Sequence, residues 1–142
     1  MNVQMRVIGL DESIERINDE INRIEKLSMA GLWEAGLKVL RAAQKRLKPS
    51  VITGNLRASG YVRSNANTDR PDPANLISSK NEPIPGNRLP EIGLEVGFTA
   101  NYALYAHENM EGRAPKFLES VIVENEREII RIIAVRSGAD SW

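Results

Sequence analysis

Glu91-Ile92-Gly93-Leu94-Glu95-Val96-Gly97-Phe98 carries the clearest structural signal in the chain. Ile92, Leu94, Val96 and Phe98 fall on one side of a period-two repeat, and Glu91, Gly93, Glu95 and Gly97 on the other, which predicts a strand with one face buried and one open. The two glycines leave little bulk on the second face, as close approach by another backbone would need. Working outward, Tyr61-Val62-Arg63 reads as extended. Met1 to Ile8 sets Val3, Met5 and Val7 against Gln4, Arg6 and Ile8, a second short alternation.

Elsewhere the period is helical. Leu10, Ile14, Ile17, Ile21 and Ile24 form an apolar seam behind Asp11, a good N-cap, and Leu27, Leu32, Trp33, Leu37, Leu40 and Leu47 continue it until Pro49 disfavours helix at Lys48. One long helix or two abutting ones satisfy this pattern. Gly31 and Gly36 each cost about 1 kcal/mol against Ala in a helix interior, so they mark a break or a close crossing. Six acids and two bases lie between Asp11 and Glu25, whereas Lys38, Arg41, Lys45, Arg46 and Lys48 form a basic end without an acid. Macrodipole complementarity along one helix explains this division; contact with an acidic partner or nucleic acid is the alternative, without interleaved aromatics for base stacking.

Thr53 to Arg57 reads as a turn or a short capped helical turn. Ser64 to Pro90 holds five of the seven prolines and one apolar cluster, Leu76-Ile77, and is expected to be a long functional or disordered loop, or a protruding hairpin whose arm includes Leu76 to Ser78. Asn101 is a plausible cap for a helical turn or two over Tyr102 to Glu108. Pro115 fits the first position of a closing helix that buries Leu118, Val121, Ile122, Ile129, Ile132 and Ile133 and ends at Ser137-Gly138. The expected fold class is α+β, one domain over 1–142 with a tail over 136–142: a small antiparallel or mixed sheet packed against a long N-terminal helix and a C-terminal helix, its exposed edges inviting neighbours.

Composition narrows the function. The chain has 142 residues, 42% of them apolar, enough for a core without disulfide or structural metal, and no cysteine. Nineteen basic side chains balance nineteen acidic ones, which argues against a partner held mainly by phosphate attraction. No apolar run reaches the roughly 18 residues of a membrane span, and Met1 to Leu10 does not read as a secretory signal. The one histidine, His107, lacks a second histidine four residues on, since position 111 is Glu, and no nucleophile elbow or triad signature accompanies it. Glu124, Glu126 and Glu128 fan around a helix rather than converge. No catalytic residue, metal or cofactor is expected.

Three segments together resemble the tail-completion, or head-tail joining, proteins of tailed bacteriophages. Pro49 followed by Thr53-Gly54-Asn55-Leu56-Arg57-Ala58-Ser59 is similar to that family's "P, then TG-x-LR-x-S" signature after the first long helix. Val96-Gly97-Phe98, then Tyr102-Ala103-Leu104-Tyr105-Ala106-His107-Glu108, resembles its strand ending in "VG" and its "YA-x-Y-x-HE" run. Ala114-Pro115-Lys116-Phe117-Leu118 resembles its "A-x-KFL" helix start. The likeness spans about residues 30 to 135.

This resemblance implies a structural virion protein of the neck. It would assemble in the bacterial cytoplasm as a homo-oligomeric ring that joins the portal or a head-completion adaptor to a tail terminator or tail tube protein, with DNA passing through without sequence-specific binding and no membrane involved. Leu56, Tyr102, Tyr105, Phe117 and Leu118 are expected in or near the core, and Arg57 and Glu108 are expected to pair. Arg70, Pro71, Asp72, Leu76, Ile77, Lys80 and Arg88 form a candidate docking loop, expected to order on assembly. The competing readings are a regulatory module binding nucleic acid or a partner through the basic stretch 38–48, and a small hydrolase around His107.

Overall fold

The alternation around Glu95 does form a strand, and in a computed structural model of the chain that strand lies inside a mixed sheet. Residues 2–5, 11–24, 28–47, 54–74, 76–89, 91–100 and 117–138 are described. In chain order the elements are β1 (Asn2–Met5), α1 (Asp11–Ile21), α2 (Met29–Leu47), α3 (Gly54–Ala58), β2 (Gly60–Arg63), β3 (Thr68–Asp69), β4 (Gly93–Phe98), α4 (Phe117–Glu124) and α5 (Glu126–Arg136), with a 3-10 turn at Ser78–Lys80. The fold is α+β. Strand order is β1-β4-β2-β3: β2 pairs antiparallel with β3 and β4, and β1 joins β4 in parallel, Asn2 opposite Gly93 and Met5 opposite Val96.

The N-terminal apolar seam divides into two helices. Ser28 accounts for the division: its Oγ accepts the Gly31 N–H at 3.2 Å and its carbonyl accepts that of Leu32, making it the N-cap from which α2 starts afresh. The Ser28 N–H in turn donates to Ser137 Oγ at 2.9 Å, so the beginning of α2 is tied to the end of α5. Gly31 and Gly36 are close crossings. A Cβ on Gly31 would come within 2.9 Å of Arg136 Cβ and 3.1 Å of the Ile133 carbonyl, and one on Gly36 would run into the Leu94 side chain.

α2 is the central element, packing on α4, α5, β2 and β4, while α1 packs on α5. Its spacing explains this: Leu32, Ala35, Val39, Leu40, Ala43 and Leu47 fall at i, i+3, i+7, i+8, i+11 and i+15, one face of a helix, and are all buried. They meet Val62, Leu94, Val96 and Phe98 of the sheet and Leu118, Ile122, Ile129 and Ile133 of the last two helices in one core. Each fully buried aliphatic side chain contributes roughly 1.5–3 kcal/mol. Leu118, Val121, Ile122, Ile129 and Ile133 are buried as expected, with Ile132 partly so.

The closing helix is interrupted once. Asn125 separates α4 from α5, with both its backbone N–H and its side-chain Nδ2 donating to the Val121 carbonyl, at 3.0 and 2.8 Å, so a side chain competes with the backbone ladder. α5 ends at Ser137, and Gly138 takes the left-handed conformation with φ +79° that glycine adopts without a Cβ clash. Gly138→Ala is expected to lower stability by about 1–2 kcal/mol in thermal unfolding.

Two expectations need correcting. β4 does not keep an open face: all six residues are buried. Val62, Val96 and Leu94 face α2, and the opposite side, with Tyr61, Arg63 and Glu95, is closed by the chain after β3, where Asn87 bonds Arg63 and Leu89 is 3% exposed. The hairpin, too, lies earlier than the Leu76 to Ser78 arm. It joins β2 to β3 through a turn in which Ser64 Oγ accepts from the Ala66 and Asn67 N–H groups, and Ser78–Lys80 is a 3-10 turn. The N-terminal cap at Asn101, the turns over 102–114, Pro115, Pro49, Lys48 and the tail after 138 lie outside the described residues.

Candidate functional site

Gly54 to Ser59, the first segment of the resemblance, forms α3 and the turn into β2. Leu56 is fully buried beneath it, and Ser59 Oγ donates to the Leu56 carbonyl at 2.7 Å, closing the helix end. Backbone groups at the exit are met from two sides. Gln44 of α2 donates Nε2 to the Arg57 carbonyl at 3.0 Å, and the Thr99 N–H donates to the Ser59 carbonyl at 3.2 Å. Gly60 follows with no room for a side chain, since a Cβ would lie 2.7 Å from Leu40 Cδ1.

The proline-rich segment is fastened onto this helix. Asn55 Oδ1 accepts the Ile77 N–H at 2.6 Å and Asn81 Nδ2 at 3.2 Å, while Arg70 donates Nη1 to the Ala58 carbonyl and both Nη groups to Thr99 Oγ1, each at 3.3 Å. Burial lowers the Arg70 pKa from its ordinary value, offset in part by Tyr61. Arg57 Nε lies 3.0 Å from Asp72 Oδ2 as an ion pair, and that buried Nε makes no hydrogen bond. Glu82 N–H donates to the Thr99 carbonyl at 2.6 Å, and Asn81 bridges Ala100.

The candidate docking residues therefore divide. Arg70, Asp72 and Leu76 are partly buried, with Arg70 and Asp72 engaged by the body and Pro71 half-buried between them; Ile77, Lys80 and Arg88 are exposed. Asn55, Ala58 and Thr99 bond the described part of this loop to its own chain. Asn55→Ala removes the acceptor that two of these bonds share. It is expected to cost about 1–3 kcal/mol and to speed proteolytic nicking between residues 77 and 88 severalfold, read by mass spectrometry of the fragments.

A buried polar cluster lies under the same segment. Glu95 Oε1 accepts Tyr61 Oη at 2.6 Å and Arg63 Nε at 3.0 Å, and Arg63 Nη2 donates to Asn87 Oδ1 at 2.9 Å. The Arg63 and Glu95 side chains are only 5% and 8% exposed. Asn65 clasps Leu89 through a reciprocal pair of 2.8 Å bonds. This cluster binds loop to sheet. Among the described residues no group of three His, Asp or Glu is placed to share a metal, and no helix is long and apolar enough to cross a membrane.

Sequence reasoning missed Asn55, Thr99, Gln44 and the Tyr61-Arg63-Glu95 cluster. No local signal pointed to the cluster, because Arg and Glu are seldom buried unless paired and alternation alone sets Glu95 on an open face. Of the motif residues, Gly54, Leu56, Arg57 and Ser59 gather at α3, Leu118 joins the common core and Phe117 opens α4. Thr53, Tyr102, Tyr105, His107, Glu108 and Lys116 lie outside the described residues, as does the expected Arg57–Glu108 pair; the acid found beside Arg57 is Asp72.

The charge division also has a different basis from the expected single macrodipole. Five of the six acids belong to α1 and four of the five bases to α2, whose first turn holds no acid; Glu25 and Lys48 lie outside the described residues. Lys45 and Arg46 stand in the last turn of α2, but Lys38 and Arg41 stand in its middle, beyond the reach of the terminal dipole. Arg46 pairs with Glu124. No protein-family model, curated protein or solved structure matches the chain.

Proposed function

We propose that the chain is a structural subunit of the neck of a tailed bacteriophage, a tail-completion protein that joins head to tail as a ring of copies. The observation that carries this reading is the role of the segment with the tail-completion signature. Gly54 to Ser59 is the point at which α2, the sheet and the proline-rich segment are fastened together, leaving Ile77, Lys80 and Arg88 on a supported outer surface. A supported surface loses less conformational entropy on docking than a free loop. The polar groups around it bond to one another, as suits a part whose work is to hold shape.

In this reading α2, which precedes the Gly54 to Ser59 segment, takes the place of the first long helix of the resemblance. The neighbours implied are a portal or head-completion adaptor on one side and a tail terminator or tail tube protein on the other. Mass spectrometry of purified virions, together with electron microscopy of particles made without the gene, tests the reading. The expected result is the protein in mature particles at several copies each, and separate filled heads and tails in its absence. Its absence from virions, or normal virions without it, overturns the reading.

A substitution separates docking from folding. Ile77 is 47% exposed, so Ile77→Asp is expected to change stability by no more than about 0.5 kcal/mol while reducing complementation by a tenfold or larger factor. Plaque titre beside a melting curve checks both.

A further inference from the structure

α1 and α2 carry unpaired charge of opposite sign on separate outer faces. On α2, Lys38, Arg41 and Lys45 are exposed and no ion pair joins any of them to an acid among the described residues. They border a shallow groove of about 480 Å³ whose floor is Leu37, Ala42 and Ile132. The acids nearby are already engaged: Glu34 with Arg136 at 3.2 Å and Glu128 with Arg131 at 2.8 Å. Lys38 also acts on Glu128, whose pKa it helps to lower, and Glu34 lines the groove; Arg41 and Lys45 keep their charge without a paired acid, and the three cations are spread over about 10 Å of helix.

On α1 the balance is reversed. Arg16 is taken by Glu126 at 2.6 Å and Arg23 by Glu20 at 3.1 Å, while Glu15 and Asp19, one turn apart, are exposed without an ion pair among the described residues. The chain as a whole carries no net charge, so separated patches of opposite sign attract a second copy more strongly than a uniform surface would.

We infer that neighbouring copies of this chain meet by laying the Glu15-Asp19 ridge of α1 along the Lys38-Arg41-Lys45 groove of α2. The inference rests on the reading that the chain assembles with itself, and it names the surfaces that do so. Two different patches meeting make a heterologous contact, the kind that propagates from copy to copy and closes into a ring when the rotation permits. The half-buried Leu37, Ala42 and Ile132 give the contact an apolar floor, and the cations around it fix its register.

Sedimentation velocity and native mass spectrometry of the full chain test this at about 50 mM and about 500 mM salt, where screening lengths differ several-fold. Wild-type protein is expected to form particles of more than two chains at low salt, with a dissociation constant at least about tenfold weaker at high salt. The triple variant Lys38→Glu, Arg41→Glu, Lys45→Glu and the double variant Glu15→Lys, Asp19→Lys are each expected to be monomeric. All five side chains are exposed, and circular dichroism verifies that both variants are folded. An equimolar mixture of the two is expected to reassemble, because each then supplies the charge the other lost.

A wild-type chain that stays monomeric at low salt, assembly that survives either reversal, or a mixture that fails to reassemble overturns the inference. Virion location reports separately on the neck reading. Self-association through these faces in a protein absent from virions overturns that reading and supports this contact; virion rings untouched by the reversals do the opposite.

Discussion

Glu95→Gln is expected to remove about 3–5 kcal/mol of unfolding free energy, a large part of what a domain of this size possesses. The cause lies in what remains. Arg63 is 5% exposed, its Nε is 3.0 Å from the Glu95 carboxylate, and its other bond goes to the neutral amide of Asn87. Taking away the carboxylate charge leaves a guanidinium inside the protein without its counter-ion, and the desolvation already incurred is no longer offset. In urea the midpoint is expected to fall by about 2 M for a slope near 2 kcal/mol/M.

The same reasoning gives an opposite result when the cluster is removed together. Tyr61→Phe, Arg63→Met and Glu95→Leu in one chain leave no orphaned hydroxyl or charge and are expected to restore most of the lost stability. A triple variant as unstable as Glu95→Gln would show that the bonds themselves, rather than the unpaired charge, carry the loss.

Leu94→Ala is the second large expected effect, about 2–5 kcal/mol by thermal or urea unfolding. Leu94 is fully buried, and its side chain occupies the space that a Cβ on Gly36 would need. Gly36→Ala alone is expected to destabilise by about 1–2 kcal/mol, because overpacking outweighs the gain of about 1 kcal/mol in helix propensity. The double variant is expected to be more stable than additivity predicts by about 1 kcal/mol, since the added methyl enters the vacated space. Strict additivity would place the two residues out of contact.

Periodic features were legible in advance. The alternation of β4, the helical spacing of α2 and α5, and Gly138 as a helix end are properties of neighbours along the chain, and short-range patterns record them. What escaped depends on distant partners. Glu95 alternates with Leu94 and Val96 as a solvent-facing residue would; nothing local announces that residues 87 and 89 return to cover it. Ser28 was hidden inside an apolar seam because its importance comes from the Gly31 N–H and from Ser137, 109 positions away. The proline-rich segment read as a free arm because its fastenings are single polar atoms on Asn55 and Thr99, which carry no period. The exposed part of the candidate surface, Ile77, Lys80 and Arg88, fell within the expected docking loop, while Arg70 and Asp72 in the same loop were turned to the body.

The parallel pairing of β1 with β4 has a consequence in time. Asn2 is opposite Gly93, so a ribosome must add about ninety residues before the partner of the first strand exists. At about 5–20 residues per second this is a wait of roughly 5–20 s. A first strand left unpaired for that long is open to capture by the fourth strand of a chain further along the same messenger, and a chaperone that shields the leading segment would raise the yield of correctly closed protein.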